Sequence, residues 1–306
     1  MARRKRGKPI HGWVILDKPY DLGSTQAVNI VRGIFGAQKA GHGGTLDPLA
    51  TGLLPIALGE ATKTVPYVMD GEKQYEFTVK WGEATDTDDV EGDVIKTSDT
   101  RPTKDQILAA LPKFIGLISQ VPPKFSAIKI NGKRAYDLAR SGEEVILQPR
   151  NIQIDSLDLV EIISEEAAKF VTSCGKGTYI RSIARDLAVE LGTVAHVTRL
   201  NRIKVGHFNQ DDMISLEKLR EISHSGADLS ECSDILISVE TALDDIPDLA
   251  INQDELKELK MGRELFARNS ISDYCGEVAC LCDGTLIAIC DYDGISLKPK
   301  RVFNIV

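Results

Sequence analysis

The residues best placed to do chemistry are Asp47 and, five positions earlier, His42. Both belong to the stretch Gly41-His42-Gly43-Gly44-Thr45-Leu46-Asp47-Pro48-Leu49-Ala50-Thr51-Gly52-Leu53-Leu54-Pro55. Its glycines and prolines argue against a regular helix or a central strand. Leu46, Leu49, Leu53 and Leu54 argue equally against a solvated linker. The stretch is therefore expected to be a loop packed against the body of the protein. Pro48 biases Asp47 towards an extended backbone. The result is a rigid loop that presents a carboxylate and an imidazole from an apolar bed. In isolation, an Asp-Pro pair is simply a turn whose carboxylate caps backbone N–H groups, so the rest of the chain must decide.

Other chemistries find little support. The cysteines are Cys174, Cys232, Cys275, Cys280, Cys282 and Cys290, and none forms a Cys-x-x-Cys pair. They are expected to be reduced core residues, with no metal site. Asp86, Asp88, Asp89 and Glu91 lack EF-hand spacing, so Glu83 to Asp93 is expected to be a solvated hairpin tip. Gly175-Lys176-Gly177-Thr178 lacks the earlier glycine of a phosphate-binding loop.

The surrounding elements are legible from periodicity. His11 to Leu16 reads as a buried strand. Ser24 is expected to cap a helix with Ala27, Ile30, Val31, Ile34 and Phe35 on one face, closed by Gly36. Pro55 to Leu58 reads as a buried strand. Gln74 to Trp81 alternates, with Tyr75, Phe77, Val79 and Trp81 on one face. Thr103 and Gln106 form a capping box for a helix through Leu111. A helix from about Ile180 to Leu191 places Arg181 and Arg185 one turn apart. Strands follow at Ala195–Ile203 and, beyond a helix at Gln253–Lys260, near 277–282, 285–291 and 298–303.

The 41–55 stretch closely resembles the catalytic loop of the TruB family of tRNA pseudouridine synthases, Gly-His-x-Gly-x-Leu-Asp-Pro-x-Ala-x-Gly-x-Leu-Pro. Further strings resemble family motifs: Lys18-Pro19 before Ser24-Thr25, Gly59-Glu60-Ala61-Thr62-Lys63, Pro122-Pro123-Lys124-Phe125-Ser126-Ala127-Ile128-Lys129, and Gly177-Thr178-Tyr179-Ile180-Arg181. One departure is Asp21, where the family commonly has glycine. The resemblance implies isomerisation of uridine to pseudouridine at position 55 of the tRNA T loop, with Asp47 as the catalytic carboxylate and Arg181 as its ionic partner. It implies that His42, Tyr75, Tyr179 and Leu200 contact the substrate and that the uridine is flipped out of its loop. Lys124, Lys129, Lys133 and Arg134 are expected RNA contacts, since basic residues among aromatics suit phosphates and stacked bases, and the resemblance of the Gly59–Lys63 string adds Lys63 to them. Two other readings are a superfamily relative with another RNA target and a protein that remodels RNA without catalysis.

The implied fold is mixed α/β (α+β). It comprises a largely antiparallel catalytic sheet of pseudouridine synthase type over 10–250, with an RNA-gripping insertion at about 120–150. A small PUA-like β-barrel domain covers 251–306, and residues 1–9 form a basic tail. The net charge of −8 taken alone opposes RNA binding, but its distribution does not. Residues 1–210 hold 28 basic and 25 acidic side chains, and residues 211–306 hold 9 and 20. An RNA surface is thus expected in the first two thirds. The expected partner is the T-arm stem-loop, bound by a cytoplasmic monomer that needs neither membrane, cofactor nor metal.

Overall fold

The computed structural model describes residues 7–130, 132–226, 228–229, 232–268 and 271–305. Most of the basic tail, residues 1–6, lies outside that range. In chain order, the first part contains β1 (Gly12–Lys18), α1 (Ser24–Phe35), β2 (Ala40–His42), β3 (Thr51–Leu58), α2 (Val65–Asp70), β4 (Lys73–Trp81), β5 (Glu83–Thr85), β6 (Val94–Thr97), α3 (Lys104–Ala110) and β7 (Gly116–Gln120). The insertion contributes β8 (Lys129–Ile130), β9 (Lys133–Arg134) and α4 (Ala135–Arg140). Then come β10 (Arg150–Ser164), β11 (Ala167–Cys174), α5 (Ile180–Glu190), β12 (Ala195–Val205), β13 (Ile214–Ser215) and α6 (Leu216–His224). The C-terminal part holds β14 (Asp248–Ala250), α7 (Gln253–Lys260), β15 (Leu265–Phe266), β16 (Gly276–Cys282), β17 (Thr285–Tyr292) and β18 (Ser296–Val302).

The main sheet runs β13-β1-β3-β12-β4-β11-β10-β7, with β2 also on β3. Only β12 joins its two halves. It pairs parallel to β3 through Asn201 and Arg202, and antiparallel to β4 along most of its length. Period-two alternation divides β1 between two cores. Val14 and Leu16 face α1 and α6, while Trp13 and Ile15 face the C-terminal unit. The other half-sheet buries Phe77, Val79, Trp81 and Phe170 beneath Ile183 and Leu187 of α5.

Part of the 41–55 stretch departs from expectation, because residues 51–58 form a central strand between β1 and β12 despite Gly52 and Pro55. Pro55 is tolerated for a local reason. Its carbonyl accepts from Gly43 N (2.8 Å), on the side away from β1. A strand residue projects N and C=O to the same side, so the missing N–H costs the β1 ladder nothing. Gly52 (φ 92°) marks the close approach of β3 to β12, where an added Cβ would lie 2.3 Å from the Arg202 carbonyl oxygen.

Ser24 also behaves differently from its expected capping role. Gly23 takes the N-cap position, and Gln26 accepts from its backbone N–H. The Ser24 hydroxyl instead donates to Leu46 O (2.7 Å) and accepts from Leu46 N (2.9 Å), pinning the loop one residue before Asp47. Asp21 adopts φ 58°, a left-handed conformation that a glycine would occupy without strain and that aspartate tolerates.

The C-terminal strands form a curled half-barrel in the order β14-β16-β17-β18-β15. Its sheet takes in β14, just ahead of the expected boundary at 251. Ala279, Leu286, Ile289 and Phe303 share a core with Trp13, Ile15, Leu53 and Ala57 of the main sheet. Asn252 caps α7, accepting from Asp254 N and Glu255 N.

Two glycine substitutions test this reading. Gly52→Ala should lower the free energy of denaturant unfolding by about 1–3 kcal/mol or more, through backbone strain and clash. Gly33→Ala, in α1 where a Cβ meets nothing within 4 Å, should raise it by roughly 0.5–1 kcal/mol. Equal effects would contradict the close β3–β12 approach.

Candidate active site

Asp47 sits on the loop between β2 and β3. Its Oδ2 lies 2.9 Å from Nη2 of Arg181, in the first turn of α5. Arg181 is 5% exposed. Its Nη2 also donates to Phe125 O (2.9 Å), and its Nη1 donates to Thr87 O (2.9 Å) and faces Asp89 Oδ2 at 3.3 Å. One buried guanidinium thus joins the Asp47 loop, the β5–β6 turn and the start of the insertion.

The β5–β6 turn is therefore not the solvated tip expected from its acidity. Thr85, Thr87 and Asp89 are buried, and Asp88 (φ 61°) pairs with Arg185 at 3.1 Å. The physical reason lies on α5. Arg181 and Arg185, one turn apart, draw the two acids of the turn inward, where desolvated charges need partners.

Two cavities share Asp47 and Arg181 as a common wall. One, of about 360 Å³, is also lined by Tyr75, Tyr179, Leu200 and Arg202. The other, of about 520 Å³, is lined by His42, Phe125, Tyr136 and Arg140. Burial pushes the Tyr75 and Tyr179 phenols above their ordinary range, so both are neutral rings at physiological pH. Tyr179 is held by Gln120, whose side chain accepts from its N–H (2.9 Å) and donates to its carbonyl (3.1 Å). His42 Nδ1 is buried without a hydrogen-bond partner among the described residues. Burial, and then the Arg202 charge, lower its proton affinity, leaving a neutral imidazole.

Two further cations escaped the sequence reading of the site. Lys18 is fully buried, and its ammonium donates to Pro19 O, Leu22 O and Pro48 O at 2.8–2.9 Å. Desolvation pulls its pKa down to about 8. Arg202, 1% exposed, lies behind the loop. Neither stands in an apolar pattern. The one local sign was Lys18 beside Pro19.

The expected RNA contacts divide. Lys124, Lys129, Lys133 and Arg134 are exposed on the insertion, and Arg134 reaches the smaller cavity. Lys63 is elsewhere. Its ammonium binds the Glu60 carboxylate and Val302 O (2.6 Å) and lies over the Phe303 ring, at the junction with the half-barrel. Glu60 also accepts from Asn304 N at 2.9 Å. Among the described residues no group of three or more His, Cys, Asp or Glu could hold a metal ion.

Residues 32–180 match the model of the TruB family pseudouridylate synthase N-terminal domain, and residues 181–244 match that of the tRNA pseudouridylate synthase B C-terminal domain. A tRNA pseudouridine synthase B of Bradyrhizobium diazoefficiens is 51% identical over 99% of this chain and 88% of its own length. This chain belongs to the TruB family. A Caulobacter vibrioides relative of the same name is 48% identical over the full length of both. For the fold, a Cbf5-Nop10-Gar1 complex superposes with a TM-score of 0.74 at 24% identity, covering 99% of this chain and 91% of that one. An archaeal box H/ACA Nop10-Cbf5 complex gives 0.73 at 23% identity, covering 99% and 93%. The TruB family loop is thus seen here with its carboxylate already paired. No helix among the described residues is long and apolar enough to cross a membrane.

The His42 environment makes a measurable prediction. Its Hε1 resonance should titrate with a midpoint below the ordinary value of 6.5. Because the folded state binds this proton more weakly than the unfolded one, its contribution to stability is complete above pH 6.5 and is lost as pH falls through the lowered midpoint. A midpoint at or above 6.5 would contradict a desolvated ring near Arg202.

Proposed function

We propose that this protein isomerises uridine 55 in the T loop of tRNA to pseudouridine, with Asp47 supplying the essential carboxylate. The observation that carries the residue assignment is the 2.9 Å Asp47–Arg181 pair in the wall of a cavity that also presents Tyr75, Tyr179 and Leu200. The reaction breaks the N1–C1′ bond, turns the uracil and joins C5 to C1′. A proton leaves C5 and N1 gains one, so the product is an isomer and the chemistry balances without a redox partner or a transferred group.

Each step has a candidate side chain. A uridine stacked in an RNA loop must first leave its stack, at a cost of a few kcal/mol. His42, neutral and on the far side of Asp47 from the tyrosines, is placed to fill the vacated space. Tyr75 stacks on the extruded base, and Tyr179 and Leu200 complete its pocket. Arg181 holds the carboxylate in place at the ribose. Lys124, Lys129, Lys133 and Arg134 meet the phosphates of the T arm. We read the 251–306 half-barrel as a PUA-like RNA-binding unit, and the chain as a cytoplasmic monomer, since the whole constellation comes from one copy.

The test is nucleoside analysis of an unmodified tRNA transcript after incubation with wild type and variants. Wild type should form pseudouridine at the T-loop uridine. Asp47→Asn should form none while binding tRNA within about threefold of wild type, the split expected when only transition-state stabilisation is lost. Tyr75→Ala should also lose turnover. Turnover by Asp47→Asn would remove Asp47 from the chemistry, and tight binding without turnover by wild type would favour RNA remodelling.

A further inference from the structure

We propose that Arg202 is a positioning residue for this reaction, setting both the Asp47 loop and the Tyr75 ring from behind. The proposal rests on the reading of Asp47 and Tyr75 given above. Arg202 stands on β12, opposite Tyr75 of β4 on one side and Gly52 of β3 on the other. It therefore occupies the one strand that joins the two half-sheets.

From that position its guanidinium reaches under the loop. Nε donates to Leu53 O at 2.8 Å, Nη2 to Gly44 O at 3.1 Å and Nη1 to Thr45 O at 3.4 Å. The same guanidinium lies near the phenol of Tyr75, its register partner on β4, and its charge opposes the rise that burial gives that phenol. These partners are all neutral oxygens. One side chain thus fixes the backbone two and three residues before Asp47 and a strand residue after it, beside the ring that receives the base. Gly44 adopts φ 122°, a conformation that L side chains rarely take, so the loop backbone here is one that glycine permits.

The arrangement couples two parts of the site that arise on different half-sheets. The carboxylate comes from the β1–β3 side and the stacking ring from the β4–β11 side. Arg202 sets their separation through a planar, multiply bonded head group. Lysine offers a charge but not that fork. The charge alone is therefore not enough.

The test is single-turnover kinetics on tRNA with wild type, Arg202→Lys, Arg202→Gln, Tyr75→Phe and the Arg202→Lys/Tyr75→Phe double variant, with tRNA affinity and melting curves for each. Arg202→Lys and Arg202→Gln should slow the chemical step on the order of 10–100-fold, the scale of small misalignments, with affinity within about threefold of wild type. Tyr75→Phe should cost less in the Arg202→Lys background than in wild type, because the guanidinium that stands beside the phenol is already gone. A rate within about twofold of wild type in both Arg202 variants, or strictly additive costs in the cycle, would overturn the proposal. So would loss of the melting transition in both, which would assign Arg202 to folding. A wild type that makes no pseudouridine would overturn the reaction itself, and this proposal with it.

Discussion

The site depends on a guanidinium that has left water. Arg181 could not remain 5% exposed without compensation, because an ion in a low-dielectric interior costs several kcal/mol unless its hydrogen bonds are met. Two carboxylates and two carbonyls meet them, from three separate segments. Losing Arg181 would leave the buried Asp89 without its ion pair, at a cost of several kcal/mol, so the network closes as a unit. The Asp47 carboxylate is thereby part of the fold, held by the same guanidinium that ties the β5–β6 turn and the insertion to α5.

Much of this was legible in the sequence, and the rest was hidden for identifiable reasons. The loop, the partner arginine and the tyrosines were named in advance because their motifs are local strings. The capping box at Thr103 and the helix at 253–260 were equally plain, since caps and periodicity are short-range signals. Asp88 and Asp89 were misread because acidity in a turn looks solvated until an arginine almost a hundred residues later claims it. Lys63 was assigned to RNA by its motif, while the structure commits its ammonium to Glu60 and Val302. Ser24 looked like a cap, and its hydroxyl bonds Leu46 instead. In each case a long-range polar contact decided the outcome, and neither pattern nor propensity reports those.

Charge and architecture both set the insertion apart from the C-terminal third. The exposed cations of the insertion stand beside the cavities, whereas the acidic excess lies beyond residue 210. The half-barrel docks by apolar burial against β1 and β3 and by the Glu60–Lys63–Asn304 contacts. Its attachment runs through residues 59–63, which directly follow β3, so the C-terminal unit and the Asp47 loop share one support.

The order in which the main sheet is assembled carries a consequence for biosynthesis. β12 emerges from the ribosome after both of the strands it must fit between. Until then β1–β3 and β4–β11–β10 are two separate ribbons, each with an open edge. The nascent chain therefore holds Asp47 and Tyr75 long before it holds the strand that brings them together. Such late, long-range insertion is slow compared with local pairing, and the exposed edges are the vulnerable stage. An unfinished chain meeting a tRNA has a carboxylate but no pocket, so competence arrives in one step, late in translation.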